Sequence, residues 1–315
     1  MNEQEAVHQV VMVGAGPSAL AAAIYTTRED IETVLYEKGA VGGLAAITDK
    51  VDNYPGFPEG IEGMKLADQL QKQAERFGAR IEYGDVSAVR RRDNHVELTI
   101  DGQAVKARSV LIATGSDYHK LGIPGEAEFY GRGVHYCATC DGAFYRDKRL
   151  VVVGGGNSGV QEALFLTRFA SHIDLLVRST VKASEVLQRE LQTYVDSGKV
   201  TIHLQTNPTE IATDDTGKVA FVRATKAGEP TVFETDGVFV FIGLKPNTQF
   251  LRGSGIELDE RGLIKTNEHL ATNIEGIYAS GDVRSGATMQ VASAVGEGAT
   301  AALNIREYLD SQKQK

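Results

Sequence analysis

Apolar residues in this chain occur in short runs that alternate with glycine-rich turns. The run Val7–Val13 predicts a buried parallel strand that enters a turn at Gly14–Ala19. The apolar stretch Ala19–Thr27 predicts a helix directly after this turn, and Thr33–Glu37 predicts the next strand. The beginning of the chain is therefore expected to fold as strand, glycine turn, helix and strand.

The same order of elements recurs near the middle of the chain. Arg149–Val153 predicts a strand that runs into a second glycine turn at Gly154–Gly159. A helix is expected over Val160–Phe169, followed by a strand over Ile173–Arg178. The chain thus contains an internal repeat.

Each copy of the repeat continues with antiparallel hairpins and closes on an apolar strand that ends in glycine. The hairpins are expected over Val86–Leu98 and over Val200–Arg223, the second with a turn at Asp214–Gly217. The closing strands are Val110–Gly115 and Val238–Gly243. The second unit therefore interrupts the first.

This layout predicts an α/β fold made of two nested Rossmann-like domains, each a three-layer ββα nucleotide-binding unit. We expect the first domain to be discontinuous, over residues 1–116 and 246–315. The inserted domain should occupy residues 117–245 and carry the Cys-Ala-Thr-Cys motif. A length of 315 residues suits about two domains.

The first glycine turn has the context that dinucleotide binding requires. Gly14 permits a tight turn, Gly16 lets the backbone approach a pyrophosphate, and Ala19 allows close packing of helix on strand. Glu37 ends the following strand about 20 residues later, where a carboxylate can bind a ribose diol. The pattern favours an adenine dinucleotide, with a purely structural turn and a surface glutamate as the alternative.

The second turn leads to a different expectation. The position that corresponds to Glu37 is Val177, and Arg178 follows it, so the usual partner of an NAD ribose is absent while one cation is available for a 2′-phosphate. The second pocket therefore favours NADP, or binds no nicotinamide cofactor productively. Its candidate contacts are Gly154, Gly156, Asn157, Ser158 and Arg178.

Charge and hydropathy exclude other classes of function. A net charge of −9 and the lack of a broad basic stretch argue against nucleic acid as the main ligand. The apolar run Val7–Val13 is too short to span a membrane and is followed at once by Gly14 and Pro17. No secretory signal is recognisable, and we expect a cytoplasmic protein.

Cys137 and Cys140 are the two cysteines of the chain, and two residues separate them. In a reducing compartment this spacing indicates a redox dithiol or half of a metal site. Structural zinc would need two further ligands, and only His135 lies nearby in the sequence. We therefore expect no metal.

Several of these motifs together resemble those of the low-molecular-weight thioredoxin reductases, which are FAD-containing enzymes of the pyridine nucleotide–disulfide oxidoreductase class. The resemblance covers essentially the whole chain. The motifs that carry it are Gly14–Ala19, Gly42-Gly43, Asn53–Gly56, Ala113–Gly115, Cys137–Asp141, Gly154–Gly159 and Gly281-Asp282.

The resemblance implies FAD in the first domain. It places Glu37 on the ribose, Asp282 on the ribitol, and Met289–Val291 beside the flavin ring at a helix N-terminus, where amides stabilise negative charge on the reduced ring. The implied FAD contacts are Gly14, Gly16, Pro17, Ser18, Ala19, Glu37, Gly42, Gly43, Leu44, Asn53, Ala113, Thr114, Gly115, Gly281, Asp282, Met289, Gln290 and Val291.

The resemblance also implies catalytic roles. Cys140 is the sulfur that faces the flavin, Cys137 attacks the substrate, and Asp141 is the acid that manages protons as thiolates form and leave. A helix cap at the start of Gly142–Tyr145 is the alternative reading of Asp141. The implied partner is thioredoxin or a thioredoxin-like protein, and a homodimer is expected.

One departure from the family pattern leaves the electron donor open. Enzymes of this kind that use NADPH carry several arginines for the 2′-phosphate, whereas this chain reads Val177-Arg178-Ser179 and then Lys182-Ala183. NADPH, ferredoxin and a reduced flavoprotein all remain candidate donors. Two alternative functions also remain: a ferredoxin– or flavodoxin–NADP reductase, which would not need the dithiol, and a flavin-bound redox sensor.

Overall fold

The computed structural model describes residues 7–48, 50–51 and 53–313, and the chain divides into two compact units. The first unit comprises the described parts of residues 1–117 and 245–315, and the second comprises Tyr118–Leu244. Each unit contains a sheet with several parallel strands, one of which runs into a glycine turn and a helix. Within the described ranges, no helix is both long and apolar enough to cross a membrane.

The first unit is built on one mixed sheet. Its strands are β1 (Val7–Val13), β2 (Thr33–Glu37), β3 (Arg80–Tyr83), β4 (Val86–Arg91), β5 (Val96–Ile100), β6 (Gln103–Ile112) and, late in the chain, β17 (Ile277–Ala279). The order is β3-β2-β1-β6-β5-β4, with β17 paired to β6. Strands β1, β2, β3, β6 and β17 are parallel, and β4, β5 and β6 form an antiparallel meander.

Both faces of this sheet are covered, which explains why β1 is an unbroken apolar run rather than an alternating one. Val10 and Met12 belong to the core on one face, and Val11 and Val13 belong to the core on the other. The helices of the unit are α1 (Pro17–Thr27), α2 (Gly43–Ala46), α3 (Gly63–Arg76) and the long α7 (Val291–Lys313), with a 3-10 helix at Gln249–Leu251.

The second unit contains two sheets. Its strands are β8 (Val134–His135), β9 (Arg149–Val153), β10 (His172–Leu176), β11 (Val200–His203), β12 (Thr206–Thr213), β13 (Val219–Lys226), β14 (Glu229–Glu234) and β15 (Gly237–Val240). The parallel sheet has the order β11-β10-β9-β15-β8, and β12, β13 and β14 form an antiparallel sheet. Apart from these two sheets, β7 (Ser116–Tyr118) and β16 (Leu244–Pro246) pair as a separate two-stranded sheet.

The helices of the second unit are α4 (Ala138–Asp141), a 3-10 helix at Gly142–Tyr145, α5 (Asn157–Leu166) and α6 (Glu185–Asp196). Helix α4 follows β8, and α5 follows β9. Because β8 and β9 run parallel in one sheet, the dithiol motif and the second glycine turn both lie at the carboxyl edge of that sheet. This edge is where ligands bind in open α/β sheets.

Several sequence-based boundaries were wrong. Val200–His203 is not part of a hairpin but pairs in parallel with β10, because alternation of apolar residues does not reveal strand direction. The second helix begins at Asn157, directly after its N-cap Gly156, and ends at Leu166 rather than Phe169. Strand β10 ends at Leu176, two residues before the expected limit.

A glycine on α7 allows that helix to approach α1 closely. A Cβ atom on Gly298 would lie 2.1 Å from the backbone oxygen of Ser18, whereas a Cβ atom on Gly296 of the same helix would meet nothing within 4 Å. The hydroxyls of Ser18 and Ser280 lie 2.6 Å apart in the same buried region. The start of α1, where the first glycine turn ends, is therefore held by backbone packing.

We expect Gly298→Ala to destabilise the protein by about 1–3 kcal/mol, because the added methyl group overpacks α7 against α1. The matched control, Gly296→Ala, should raise stability by roughly 0.5–1 kcal/mol through helix propensity alone. Urea denaturation of both variants measures these changes. Equal effects of the two substitutions would contradict the close packing described here.

Candidate active site

Cys137 and Cys140 form a disulfide at the start of α4, and their Cα atoms are 5.3 Å apart. Cys137 is the N-cap residue of this short helix, and its sulfur accepts a hydrogen bond of 3.1 Å from the backbone N–H of Cys140. Both residues are partly exposed. We expect this N–H donor to favour a thiolate at Cys137 once the disulfide is reduced.

The carboxylate of Asp141 points toward β8. Its Oδ2 atom lies 3.2 Å from Nδ1 of the buried His135, and Nε2 of the same imidazole lies 2.7 Å from the hydroxyl of Tyr145. Asp141 makes no side-chain capping bond to the 3-10 helix Gly142–Tyr145, so the helix-cap alternative was wrong. The sequence singled out His135 only as a poor zinc ligand and missed this contact.

Glu162 of α5 is a second carboxyl group beside the dithiol that sequence reasoning missed. Burial raises the pKa of Glu162, and a hydrogen bond from the backbone N–H of Ala138 opposes part of that rise. Ala138 is the first residue of α4 and directly follows Cys137. Nothing in the local sequence marks Glu162, because the contact joins two different helices.

The segment before the dithiol is fixed by a buried carboxylate. The hydroxyl of Tyr136 donates to Oε1 of Glu126 over 2.6 Å, and the backbone N–H groups of Leu121 and Gly122 donate to the two oxygens of the same residue over 2.7 Å. Glu126 is only 3% exposed, so these bonds form away from water. They position the residue that immediately precedes Cys137.

The first glycine turn has the geometry that the sequence predicted for it. Gly14 has φ +98°, and a Cβ atom there would lie 2.7 Å from the oxygen of Ala113. A Cβ atom on Gly16 would meet nothing within 4 Å, so the backbone is open to a ligand at this point. Oε2 of Glu37 accepts a hydrogen bond of 2.7 Å from the N–H of Ala15, which holds the carboxylate at the turn.

Other candidate residues of the first unit gather around this turn. The N–H of Gly42 donates to the oxygen of Ala15 over 2.8 Å, and a Cβ atom on Gly43 would lie 3.9 Å from Gly16. Pro17 is the first residue of α1, whose N-terminus has no side-chain cap. The backbone N–H groups in the first turn of α1 are therefore available to a phosphate.

Further candidates of this unit lie on helix α2, directly after β6 and next to the start of α1. Leu44 is on α2, Ala113 directly follows β6, and the Thr114 hydroxyl donates to the Asn247 oxygen over 2.8 Å. The N–H of Asn247 in turn donates to the oxygen of Gly115. Gly281 has φ +72° and lies against Ser18, where a Cβ atom would be 3.1 Å away.

A long-range contact joins two candidate residues that are far apart in the sequence. Nδ2 of Asn53 donates to Oε1 of Gln290 over 3.1 Å, and Met289 next to it has φ +57°. Val291 is the first residue of α7. The segment Met289–Val291 therefore lies at a helix N-terminus, the position that the resemblance implied for it.

Asp282 is a partly buried acid whose carboxyl group receives no hydrogen bond from the described residues. Burial raises its pKa to about 6, and the nearby charge of Glu297 adds to the effect. Glu297 itself is satisfied, because it accepts from the N–H of Gly281 and pairs with Arg284. Among the described residues, none donates to the carboxyl group of Asp282, so a hydroxyl-bearing ligand would fit there.

The second glycine turn also leaves space for a phosphate. Gly154 has φ +146°, and a Cβ atom there would lie 2.3 Å from the oxygen of Phe241, so glycine is required. A Cβ atom on Gly156 would meet nothing within 4 Å. Asn157 and Ser158 begin α5, which has no side-chain cap.

The loop after β10 folds back onto this turn. Val177 is 2% exposed, and a Cβ atom on Gly155 would lie 2.5 Å from its side chain. The N–H of Lys182 donates to the oxygen of Gly155 over 2.6 Å, and the N–H of Ser184 donates to Oδ1 of Asn157 over 2.8 Å. Val177 is thus a core residue. The exposed Arg178 and Lys182 provide the cations of this loop.

Comparison with known proteins identifies the family. The model for the pyridine nucleotide-disulphide oxidoreductase family matches residues 8–298. The chain belongs to this family. It is 40% identical over 314 residues to a thioredoxin reductase of Bacillus subtilis, with 99% of this chain and 98% of the relative covered.

Further relatives support the same assignment. A thioredoxin reductase of Listeria innocua is 39% identical, with 100% of this chain and 98% of the relative covered. The crystal structure of thioredoxin reductase from Streptococcus pyogenes matches with a TM-score of 0.92 and 36% identity, and covers 98% of this chain and 100% of that chain. The chain is a flavin-dependent disulfide oxidoreductase with a redox-active Cys137–Cys140 pair.

The raised pKa of Asp282 leads to a prediction about the stability of the protein depleted of flavin. Because the folded-state pKa is above that of the unfolded chain, wild-type stability should be fully present below about pH 4 and fall as pH rises through about 6. Asp282→Asn removes this loss and should be more stable than wild type by about 2 kcal/mol at about pH 8. Urea denaturation at both pH values measures the difference. A difference between the two proteins that does not change with pH would contradict the raised pKa.

Proposed function

We propose that this chain reduces the disulfide of thioredoxin or of a thioredoxin-like protein. The observation that carries the proposal is the Cys137–Cys140 disulfide on one helical turn, in a chain of this family. The relatives at about 40% identity are named thioredoxin reductases. The dithiol argues against a ferredoxin– or flavodoxin–NADP reductase, whose reaction does not require it.

We propose FAD as the cofactor of the first unit. The open backbone at Gly16 and the uncapped N-terminus of α1 suit a pyrophosphate, and Glu37 suits a ribose diol. The carboxyl group of Asp282, to which none of the described residues donates, suits a ribitol hydroxyl. The Asn53–Gln290 pair and the N-terminus of α7 would lie along the flavin ring. When bound, FAD supplies an electron pair for the disulfide.

Transfer to the partner then follows from thiol chemistry. Two electrons break the Cys137–Cys140 bond, and the thiolate of Cys137 attacks the partner's disulfide to give a mixed disulfide and one partner thiolate. Cys140 then attacks the sulfur of Cys137, which restores the intramolecular disulfide and releases the second partner thiolate. Asp141 holds and returns the proton that each departing thiolate requires.

The second unit is proposed to bind NADPH. The open backbone at Gly156 and the start of α5 at Asn157 and Ser158 suit a pyrophosphate, and Arg178 suits the 2′-phosphate. Val177 is buried and offers the ribose no carboxylate. Binding should therefore be weaker than at a site with several arginines. The homodimer that the resemblance implies and the cytoplasmic location expected from the sequence stay predictions.

The central test replaces each sulfur in turn. Cys137→Ser and Cys140→Ser should each lower the rate of thioredoxin reduction by at least about a hundredfold, because no mixed disulfide can be formed and resolved with one sulfur. Both variants should remain yellow and still be bleached by dithionite. Undiminished transfer in either variant, or a wild-type protein that takes up no flavin, would contradict the proposed function.

The donor is tested by anaerobic mixing with NADPH or NADH while flavin absorbance is followed. We expect NADPH to bleach the flavin, and Arg178→Ala to weaken the apparent affinity for NADPH by about tenfold or more while leaving that for NADH nearly unchanged. Exposed Arg189 on α6 offers a control substitution, Arg189→Ala. Bleaching by dithionite but by neither nucleotide would reject NADPH and favour ferredoxin or a reduced flavoprotein as donor.

A further inference from the structure

Two side chains in contact with Asp141 or with its partner, those of His135 and Tyr145, are not used by the thiol chemistry described above. Asp141 contacts Nδ1 of His135 at 3.2 Å, and Nε2 of His135 contacts the Tyr145 hydroxyl at 2.7 Å. The imidazole is 6% exposed, and its centroid lies 5.1 Å from that of the Phe239 ring. Tyr145 packs closely against Gly237: a Cβ atom on Gly237 would lie 2.4 Å from the ring of Tyr145. The two rings are therefore fixed in place.

The donors and acceptors of Asp141, His135 and Tyr145 have one consistent arrangement. An ionised carboxylate has no proton to donate, so the imidazole tautomer that suits the 3.2 Å contact with Asp141 carries its proton on Nδ1. In the neutral imidazole Nε2 then has no proton and accepts from the hydroxyl of Tyr145. Burial, with the negative charge of Asp141 next, raises the pKa of Tyr145, which keeps this hydroxyl protonated as a donor. The carboxylate of Asp141 therefore sets the tautomer, and the Tyr145 hydroxyl anchors Nε2 on the other side of the ring.

We propose that His135 is a positioning residue that orients the carboxyl group of Asp141, the residue directly after Cys140, through Nδ1, and that Tyr145 anchors the imidazole through Nε2. The inference rests on the proposed function, in which Asp141 is the proton-managing acid. In its acid form Asp141 gives a proton to a thiolate, which yields a thiol and a carboxylate. The N–H of His135 stabilises that carboxylate, and the step reverses when the dithiol is oxidised.

Other ionisable groups lie near Asp141, His135 and Tyr145 on neighbouring elements. Burial followed by the charge of Asp141 raises the pKa of Tyr130, which precedes β8. Glu162 on α5 meets the N–H of Ala138, and Asp236 before β15 faces Tyr145. The ammonium group of Lys120 lies 4.7 Å from the centroid of the Tyr130 ring. All of them remain in the variants below, so they contribute equally to each pH profile.

The test uses the oxidised holoenzyme and dithiothreitol, and therefore requires neither thioredoxin nor a nucleotide. Dithiothreitol is mixed with enzyme across a range of pH, samples are quenched by alkylation, and mass spectrometry gives the rate of disulfide reduction. His135→Phe should slow this rate by about tenfold or more near neutral pH and change the shape of the pH profile, as Asp141→Asn should. His135→Asn keeps an N–H near the position of Nδ1 and should stay within about threefold of wild type.

The double variant separates positioning from packing. If His135 acts through Asp141, His135→Phe combined with Asp141→Asn should be no slower than Asp141→Asn alone. Independent, additive effects, or a His135→Phe profile identical in shape to that of wild type, would overturn the proposal. His172→Asn is the control, because His172 also lies beside a carboxylate of this unit, 3.5 Å from Asp174, and should leave the rate unchanged.

A second variant covers the case in which His135→Phe does not fold. Tyr145→Phe deletes only the hydroxyl that anchors Nε2 of His135, and it should slow reduction by about threefold or more with the same change of pH profile. A wild-type rate and profile in Tyr145→Phe would also overturn the proposal. Failure to reduce thioredoxin while these dithiothreitol results hold would reject the proposed partner and leave the inference standing.

Discussion

One helical turn that holds both cysteines is the constraint on which the rest of this structure depends. The spacing of Cys137 and Cys140 brings their Cα atoms to 5.3 Å, and the N–H of Cys140 is directed at the sulfur of Cys137. The turn needs a rigid support to fix its position. Strand β8 provides that support, because its two residues pair with Val238 and Phe239 of β15. The parallel sheet of the second unit thereby presents the dithiol at its carboxyl edge.

That arrangement also explains why the neighbourhood of the dithiol is polar although it is largely buried. Thiolates and their protons need nearby groups that can share charge, and Asp141, His135 and Glu162 supply them on three different elements. Each has a partner, which limits the cost of burying it. In the first unit Asp282 is the exception, because burial and the charge of Glu297 raise its pKa and no described residue donates to its carboxyl group.

Much of the fold could be predicted because it follows from local patterns. The bounds of β1, β2 and β9 agree with the apolar runs, and both glycine turns lie where strand passes into helix. Strand β11 was misjudged because an alternating pattern is compatible with parallel or antiparallel pairing, and only its neighbour β10 decides between them. Local sequence therefore predicts the elements better than it predicts their partners.

The parts of the site that could not be predicted are contacts between distant segments. Glu162 meets Ala138 across two helices, and Asn53 meets Gln290 across most of the first unit's sequence. His135 was visible beside the cysteines, but its link to Tyr145 depends on how the 3-10 helix turns back on β8. Such pairs follow from tertiary packing, which no spacing rule along the chain encodes.

The most direct test of the account asks which sulfur meets the partner. Reduced Cys140→Ser enzyme is mixed with a thioredoxin that has one active-site cysteine replaced by serine and the other held as a thionitrobenzoate disulfide. The account predicts rapid release of thionitrobenzoate and an adduct joined at Cys137, with little reaction of the Cys137→Ser enzyme. Rapid adduct formation at Cys140, or none at either sulfur, would contradict it.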